Sequence, residues 1–387
     1  MKKVLGIFLT CLLVFPMFIM PVRADELKLA ENAKAAILIE ASTGEVLFEK
    51  NADEKLVPAS MTKMMSMLLI IENIEKGVLK WNQEITVSEN AASMGGSQIL
   101  LEAGEKMTVE DLFKGVAIAS GNDAVVALGE AIAGTEEGFV DMMNDRAKEL
   151  GLKNTNFKTP HGLDEANHYS SARDMSAIAR ELVKHEKVLE FTSVYEDYLR
   201  EDTDRKIWLV NTNKLVRFYD GVDGLKTGYT ESAGYCLTAT AKKDGMRIIA
   251  VVMGEPDSKT RNQEVSEMLD YSFAQYQLET LLTDSSSLGK YEVTKAKQKY
   301  TEIVPKEDVT VLRKKGDKIG NATYEVKLND LKAPIEKGDV IGKLTIKENG
   351  KSIRTIDLTT KEDIKKANLG QLYLRYLKDI FTGDITI

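Results

Sequence analysis

At 387 residues the chain is long for one ordinary domain and short for three, which suggests one large domain with a smaller companion. Its 43% hydrophobic content is that of a globular protein with a sizeable core, and a formal charge of −8 argues against a nucleic-acid partner.

Lys2 and Lys3 precede an apolar run from Val4 to about Met20, and Val22-Arg23-Ala24 follows at a cleavage position. Residues 1–24 therefore read as a secretory signal peptide. The rival, an uncleaved anchor, is disfavoured by Pro16 and Pro21. Loss of Lys2, Lys3 and Arg23 takes three positive charges from −8 and leaves −11 on a mature chain starting near Asp25. Cys11 leaves with the signal and Cys236 remains alone, so no internal disulfide supports the fold.

Residues 35–50, "AAILIEASTGEVLFEK", are two β-type runs joined through Ser42-Thr43-Gly44, a hairpin. From Met61 to Ile74 apolar residues are too dense for alternation, which predicts a buried helix ending at Gly77, with Ser60 at its first turn. Thr108-Val-Glu-Asp has the form of a capping box and opens a helix to about Ala119; another runs from Asp123 to Ala133. Between them lies Ser120-Gly121-Asn122. Residues 140–190 read as mainly helical, broken by the polar loop "KNTNFKTPHGLDEANHYSSARD".

Leu225–Gly228, Tyr235–Lys242 and Met246–Met253 are β-rich, with Lys243-Asp244-Gly245 as a hairpin turn, and Glu264 to about Leu281 reads as helix. The serine-rich stretch 283–290 predicts a linker, placing one domain at 25–283. Residues 284–365 then read as a small all-β domain, with "VTVL", "YEVKL", "GKLTI" and "IRTIDL" as strands and Asn349-Gly350 as a turn. In 366–387, Leu369, Leu372, Tyr373, Tyr376, Leu377, Ile380 and Phe381 form one helical stripe. A helix packed on the β domain and a helix lying on a membrane surface both fit; the terminal position in an exported chain favours the membrane. The fold class is thus α+β.

Ser60-Met-Thr-Lys63 puts a lysine one helical turn after a serine, within reach of its hydroxyl. A serine near its free pKa is a poor nucleophile, and a lysine whose pKa is depressed by burial and positive charge can serve as its base. The pattern alone is weak, since Ser287-Leu-Gly-Lys290 also matches, and Ser88-Glu-Asn90 duplicates the Ser-x-Asn of Ser120-Gly-Asn122. The specific signal is the ordered set that ends in Lys226-Thr227-Gly228 on a strand, where glycine allows close approach of a ligand.

In this order the motifs resemble the penicillin-recognising serine enzymes. "PASMTK", "SGND", "HGLDEANHYSSARDM" and "DGLKTGYTESAGYCL" together resemble low-molecular-mass penicillin-binding proteins that act as D-alanyl-D-alanine carboxypeptidases, above all the exported ones of Gram-positive, spore-forming bacteria. The resemblance implies a penicillin-binding-protein/β-lactamase-like catalytic domain, an antiparallel sheet flanked by helices, acting on peptidoglycan stem peptides and β-lactams at the outer face of the cytoplasmic membrane. It implies no cofactor and no metal. Ser60 would attack the carbonyl between the last two D-alanines, and Lys63 would take its proton. Ser120 with Lys226 would pass a proton to the departing amine, while Asn122 would orient Lys63 and the substrate amide. The N–H groups of Ser60 and Tyr229 would hold the oxyanion, each such donor being worth about 3 kcal/mol. Thr227 and Thr230 would bind the substrate carboxylate, assisted by Arg261 in "SKTRNQEV", and Gly228 would let the strand approach the substrate closely; some relatives carry a further arginine where this chain has "NTNKL".

Two rival readings fit less well. A class A β-lactamase would need a Glu-x-x-x-Asn between Asn122 and Lys226, which is missing, and a non-catalytic wall-binding scaffold would not need all three motifs. His161 and His168 invite a Ser-His-Asp triad or a metal site, but neither is near a Cys or His at ligand spacing, and His161-Gly162 reads as loop structure; Cys236 reads as a small buried hydrophobe, and Met64, Met65 and Met67 as core.

Overall fold

The computed structural model describes residues 28–317 and 322–382; the expected signal peptide lies outside them. A five-stranded antiparallel sheet runs in the order Val46–Lys50, Ala35–Glu40, Met246–Glu255, Gly234–Lys243, Val222–Thr230. Its middle strands are apolar on both faces because both faces are covered. Ala36, Leu38, Ala250 and Val252 point toward Val265, Met268 and Leu269 of the helix Ser258–Gln275, whereas Ile37, Ile39, Ile249 and Val251 join the larger core on the opposite side. The period of two puts neighbours on opposite faces, so a continuous apolar run is what such a strand requires.

That larger core surrounds the helix Lys63–Glu75, buried without interruption from Lys63 to Ile71. Against it lie the helices Val109–Ala119 and Asn122–Ala133. Thr108 caps the first of these as the sequence predicts, accepting from Asp111 N, with Glu110 and Asp111 in the positive first turn. Both glycine turns are observed, Asp244-Gly245 and Asn349-Gly350 each having two consecutive positive φ angles.

One reading is corrected. The helix expected to reach Leu281 stops at Gln275, and Tyr276–Leu282 is a strand antiparallel to Val309–Lys314. Local pattern does not separate the two states in "YQLETLL", and the pairing partner Val309–Lys314, further down the chain, decides it. The strand also ties residues placed in the first domain, up to 283, to the second. The rest of that module is a five-stranded antiparallel sheet around Ile303, Leu344, Ile346 and Leu358, followed by the helix Leu369–Thr382.

Candidate active site

Ser60 sits in a 3-10 turn, Ala59–Thr62, that leads directly into the buried helix. The turn is gripped from two sides. A Cβ on Gly228 would stand 2.8 Å from Pro58 O, and one on Gly162 would stand 1.9 Å from Ala59 O. Glycine at both positions lets two backbones close on the serine. Ala59 itself has φ +46, an uncommon left-handed conformation immediately before the serine.

One turn on, Lys63 is wholly buried. Its Nζ lies 3.1 Å from Ser60 Oγ, 2.6 Å from Asn122 Oδ1 and 2.8 Å from the His161 carbonyl. Burial, then the nearby Lys226 ammonium, holds Lys63 well below the ordinary lysine range, against the pull of Asp123. The geometry suits the neutral amine. Two N–H bonds go to oxygens that can only accept, and the lone pair is left for the Ser60 hydroxyl.

Asn122 is locked in turn, since its Nδ2 donates to Gly95 O at 2.7 Å and its backbone N to Ser97 O at 2.7 Å. Asp123 anchors the same segment by accepting from Ile99 N and Leu101 N. Ser120 adopts φ +63, and its buried Oγ has no hydrogen-bond partner among the described residues. Lys226 is also buried; burial and then Arg261 lower it to about 7, and its Nζ donates to Thr227 O at 3.1 Å.

A cleft of about 470 Å³ opens over these groups, with Ser60, Ser120, Thr227, Gly228, Tyr229 and Arg261 in its lining. Lys63, Asn122 and Lys226 lie beneath it. Arg261 is 5% exposed, donates to Asn262 Oδ1, and forms no salt bridge with a carboxylate among the described residues. A buried guanidinium that lines a cleft without a paired carboxylate has the chemistry to receive an anion there. Thr227 Oγ1 donates to Thr212 Oγ1, while Thr230 is turned aside, its hydroxyl donating to Asp164 Oδ1 at 2.8 Å. A larger cavity of about 750 Å³ lies at the domain junction, but its arginines are committed: Arg180 to Ala41 O, Arg247 to Asp223 and Arg354 to Thr310 O.

Sequence reasoning missed four contributors. The His161 carbonyl and the Gly95 carbonyl act through the main chain and leave no side-chain signature. Gly162 and Thr212 lie in polar loops, where nothing local distinguishes them from ordinary loop residues. The imidazoles serve structure: His168 Nδ1 accepts from Lys158 N, so its Nε2 donates to Thr62 Oγ1, and burial lowers the ring to about 4. Cys236 is pushed by burial up to about 11 and stays a thiol.

The D-alanyl-D-alanine carboxypeptidase family model matches residues 22–257, and the C-terminal domain model of penicillin-binding protein 5 matches 276–366. The chain is 53% identical over 352 residues to the D-alanyl-D-alanine carboxypeptidase DacF of Bacillus subtilis, covering 91% of this chain and 90% of the relative. Penicillin-binding protein 5 of Haemophilus influenzae superposes with TM-score 0.71 at 32% identity, over 88% of this chain and 99% of that one. Penicillin-binding protein D2 of Listeria monocytogenes, in its cefotaxime-bound form, matches with TM-score 0.58 at 31% identity, over 64% of this chain and 99% of that one. With sequence, fold and both domain models in agreement, the chain belongs to the peptidase S11 family of D-alanyl-D-alanine carboxypeptidases.

Proposed function

We propose that the chain removes the terminal D-alanine from peptidoglycan stem peptides through an acyl-enzyme on Ser60, and that β-lactams acylate the same residue. The observation that carries this is the Lys63 amine, buried and held by Asn122 and His161 with its third direction on Ser60 Oγ. In the first step the Oγ–H proton passes to Lys63 as Oγ bonds to the penultimate carbonyl carbon. The N–H groups of Ser60 and Tyr229 receive the negative oxygen. The C–N bond then breaks as the Ser120 hydroxyl, assisted by Lys226, relays to the departing amine the proton that Lys63 took, which leaves the Lys63 amine neutral again. Thr227 and Arg261 hold the terminal carboxylate. Water completes the cycle by hydrolysing the ester. Intact-mass analysis after incubation with benzylpenicillin tests it: a penicilloyl adduct is expected on the wild type and none on Ser60→Ala. An undiminished adduct on Ser60→Ala overturns the assignment.

We propose that the enzyme is exported and seated at the outer face of the cytoplasmic membrane, against the cell wall. Support comes from the terminal helix, whose polar side meets the β domain through Arg375 on Ala296 O and Asp379 on Lys299. Tyr373, Leu374, Tyr376, Ile380 and Phe381 are 58–86% exposed on its outer side. Among the described residues no helix is long and apolar enough to cross a membrane, so this helix would lie in the interface. A chain ending at Asn368 is expected to lose co-sedimentation with anionic vesicles while keeping penicillin acylation; unchanged co-sedimentation refutes the seat. A role in sporulation, suggested by the sequence resemblance, is likewise a proposal, tested by counting heat-resistant spores of a deletion strain.

A further inference from the structure

Beside the cleft a short hairpin, Glu196–Leu199 with Ile207–Val210, carries an unusual outer face. Its inner face is ordinary: Leu199 and Leu209 are buried in the core. The outer positions of such a hairpin are expected to be polar. Here Tyr198 and Trp208 stand directly opposite each other and are 39% and 57% exposed. Among the described residues no ring or cation stacks on the Trp208 indole, and its N–H has no acceptor. Lys206 covers one face of Tyr198 at 4.0 Å.

This face is continuous with the active cleft. Val210, on the same side of the hairpin as Trp208, lines the cleft, and so does Lys214. Lys214 sits 5.2 Å over the ring of Tyr195, and Phe218, 70% exposed, meets that ring edge-on at 6.3 Å. The outer face of the hairpin thus continues from the catalytic opening through Val210 to the exposed rings of Trp208 and Tyr198.

Flat exposed rings flanked by hydrogen-bonding cations suit a ligand with apolar C–H faces and polar edges, which is the chemistry of a pyranose. Stem peptides are borne on a polymer of amino sugars. Resting on the function proposed above, the geometry points to the Tyr198–Trp208 face as a subsite for the glycan strand that carries the stem peptide. It would hold the polymer while the peptide enters the cleft past Val210.

The test uses the full chain and a Tyr198→Thr/Trp208→Thr variant, in which both replacements keep strand propensity. The first probe is soluble N-acetylglucosamine–N-acetylmuramic acid strands stripped of their peptides. Trp81 is packed between Phe113 and Phe191, so Trp208 is the exposed fluorophore. The strands should shift the wild-type emission, and calorimetry should show them binding the double variant roughly tenfold more weakly, with Trp208→Phe retaining most of the affinity. In the second arm, kcat/KM for D-alanine release from glycan-linked pentapeptide should fall about tenfold in the variant, mainly through KM, while release from the free pentapeptide is unchanged. Equal effects on both substrates, no binding of the strands, or a variant effect confined to wild-type self-association in sedimentation would each overturn the subsite. If the wild type releases D-alanine from neither substrate, the catalytic proposal fails instead, and the strand titration still decides this one.

Discussion

Replacing Gly162 by alanine probes how tightly the nucleophile's turn is held. The added Cβ would stand 1.9 Å from Ala59 O, 2.5 Å from Ala59 C and 2.8 Å from Thr62 Oγ1, at a residue with φ +87. Real Cβ contacts stop near 3.0 Å, so the two backbones must part by about 1.1 Å, the difference of the two distances. Ser60 hangs on that Ala59 carbonyl carbon, so the nucleophile moves with it. A misplacement of about 1 Å costs roughly 10²-fold in rate. Left-handed alanine adds about 1–2 kcal/mol of strain on its own. Gly77→Ala separates the two effects, because Gly77 has φ +78, lies beyond the far end of the Lys63–Glu75 helix and has nothing within 4 Å of its missing Cβ. The measurement is the second-order rate constant for acylation by a fluorescent penicillin, with thermal melts alongside. Gly77→Ala should lose stability and keep its rate, whereas Gly162→Ala should lose both. Acylation by Gly162→Ala within about threefold of wild type would refute the reasoning, as would an equal loss in Gly77→Ala.

Lys63 is depressed first by burial and then by Lys226, so the acid limb of the acylation pH–rate profile should lie well below the ordinary lysine range, and in Lys226→Gln it should move to higher pH. An unmoved limb contradicts that coupling. Ser120→Ala removes a buried hydroxyl that has no partner, so the melting temperature should hold or rise while D-alanine release falls about 10²-fold or more; a parallel loss of stability and turnover counts against it. Glu255, buried beside Glu264, is pushed from 4.5 up to about 9. The folded chain therefore keeps a proton that the unfolded chain gives up, and stability is lost as pH rises through that window. Glu255→Gln should raise the melting temperature more near about pH 8 than near about pH 5, and equal gains at both refute the linkage.

What could be read from the chain was whatever is encoded locally. The Thr108 cap, the Asp244-Gly245 and Asn349-Gly350 turns and the dense apolar run after Ser60 each carry their structural instruction within a few residues. "YQLETLL" does not, because its strand state depends on Val309–Lys314. The same division runs through the site. Ser60, Lys63, Ser120, Asn122 and Lys226 stand out as ordered motifs, and the fold brings all five to one cleft or directly beneath it. Main-chain acceptors such as His161 O have no side-chain identity to read. The resemblance implies a carboxylate-binding role for Thr230, and in the fold its hydroxyl donates to Asp164, 66 residues earlier. Only the closed loop shows that competition.

The Asn122 amide has a consequence for what this pocket can distinguish. Its oxygen faces an amine that donates, and its nitrogen faces the Gly95 carbonyl, which can only accept. The side chain is therefore a fixed dipole with one permitted orientation. An aspartate has the same outline, yet it would set a second oxygen against Gly95 O and a negative charge against Lys63. The charge would hold the amine protonated and withdraw the base that Ser60 requires. The site depends here on polarity rather than shape, so a single hydrolysed amide would silence it without altering the fold.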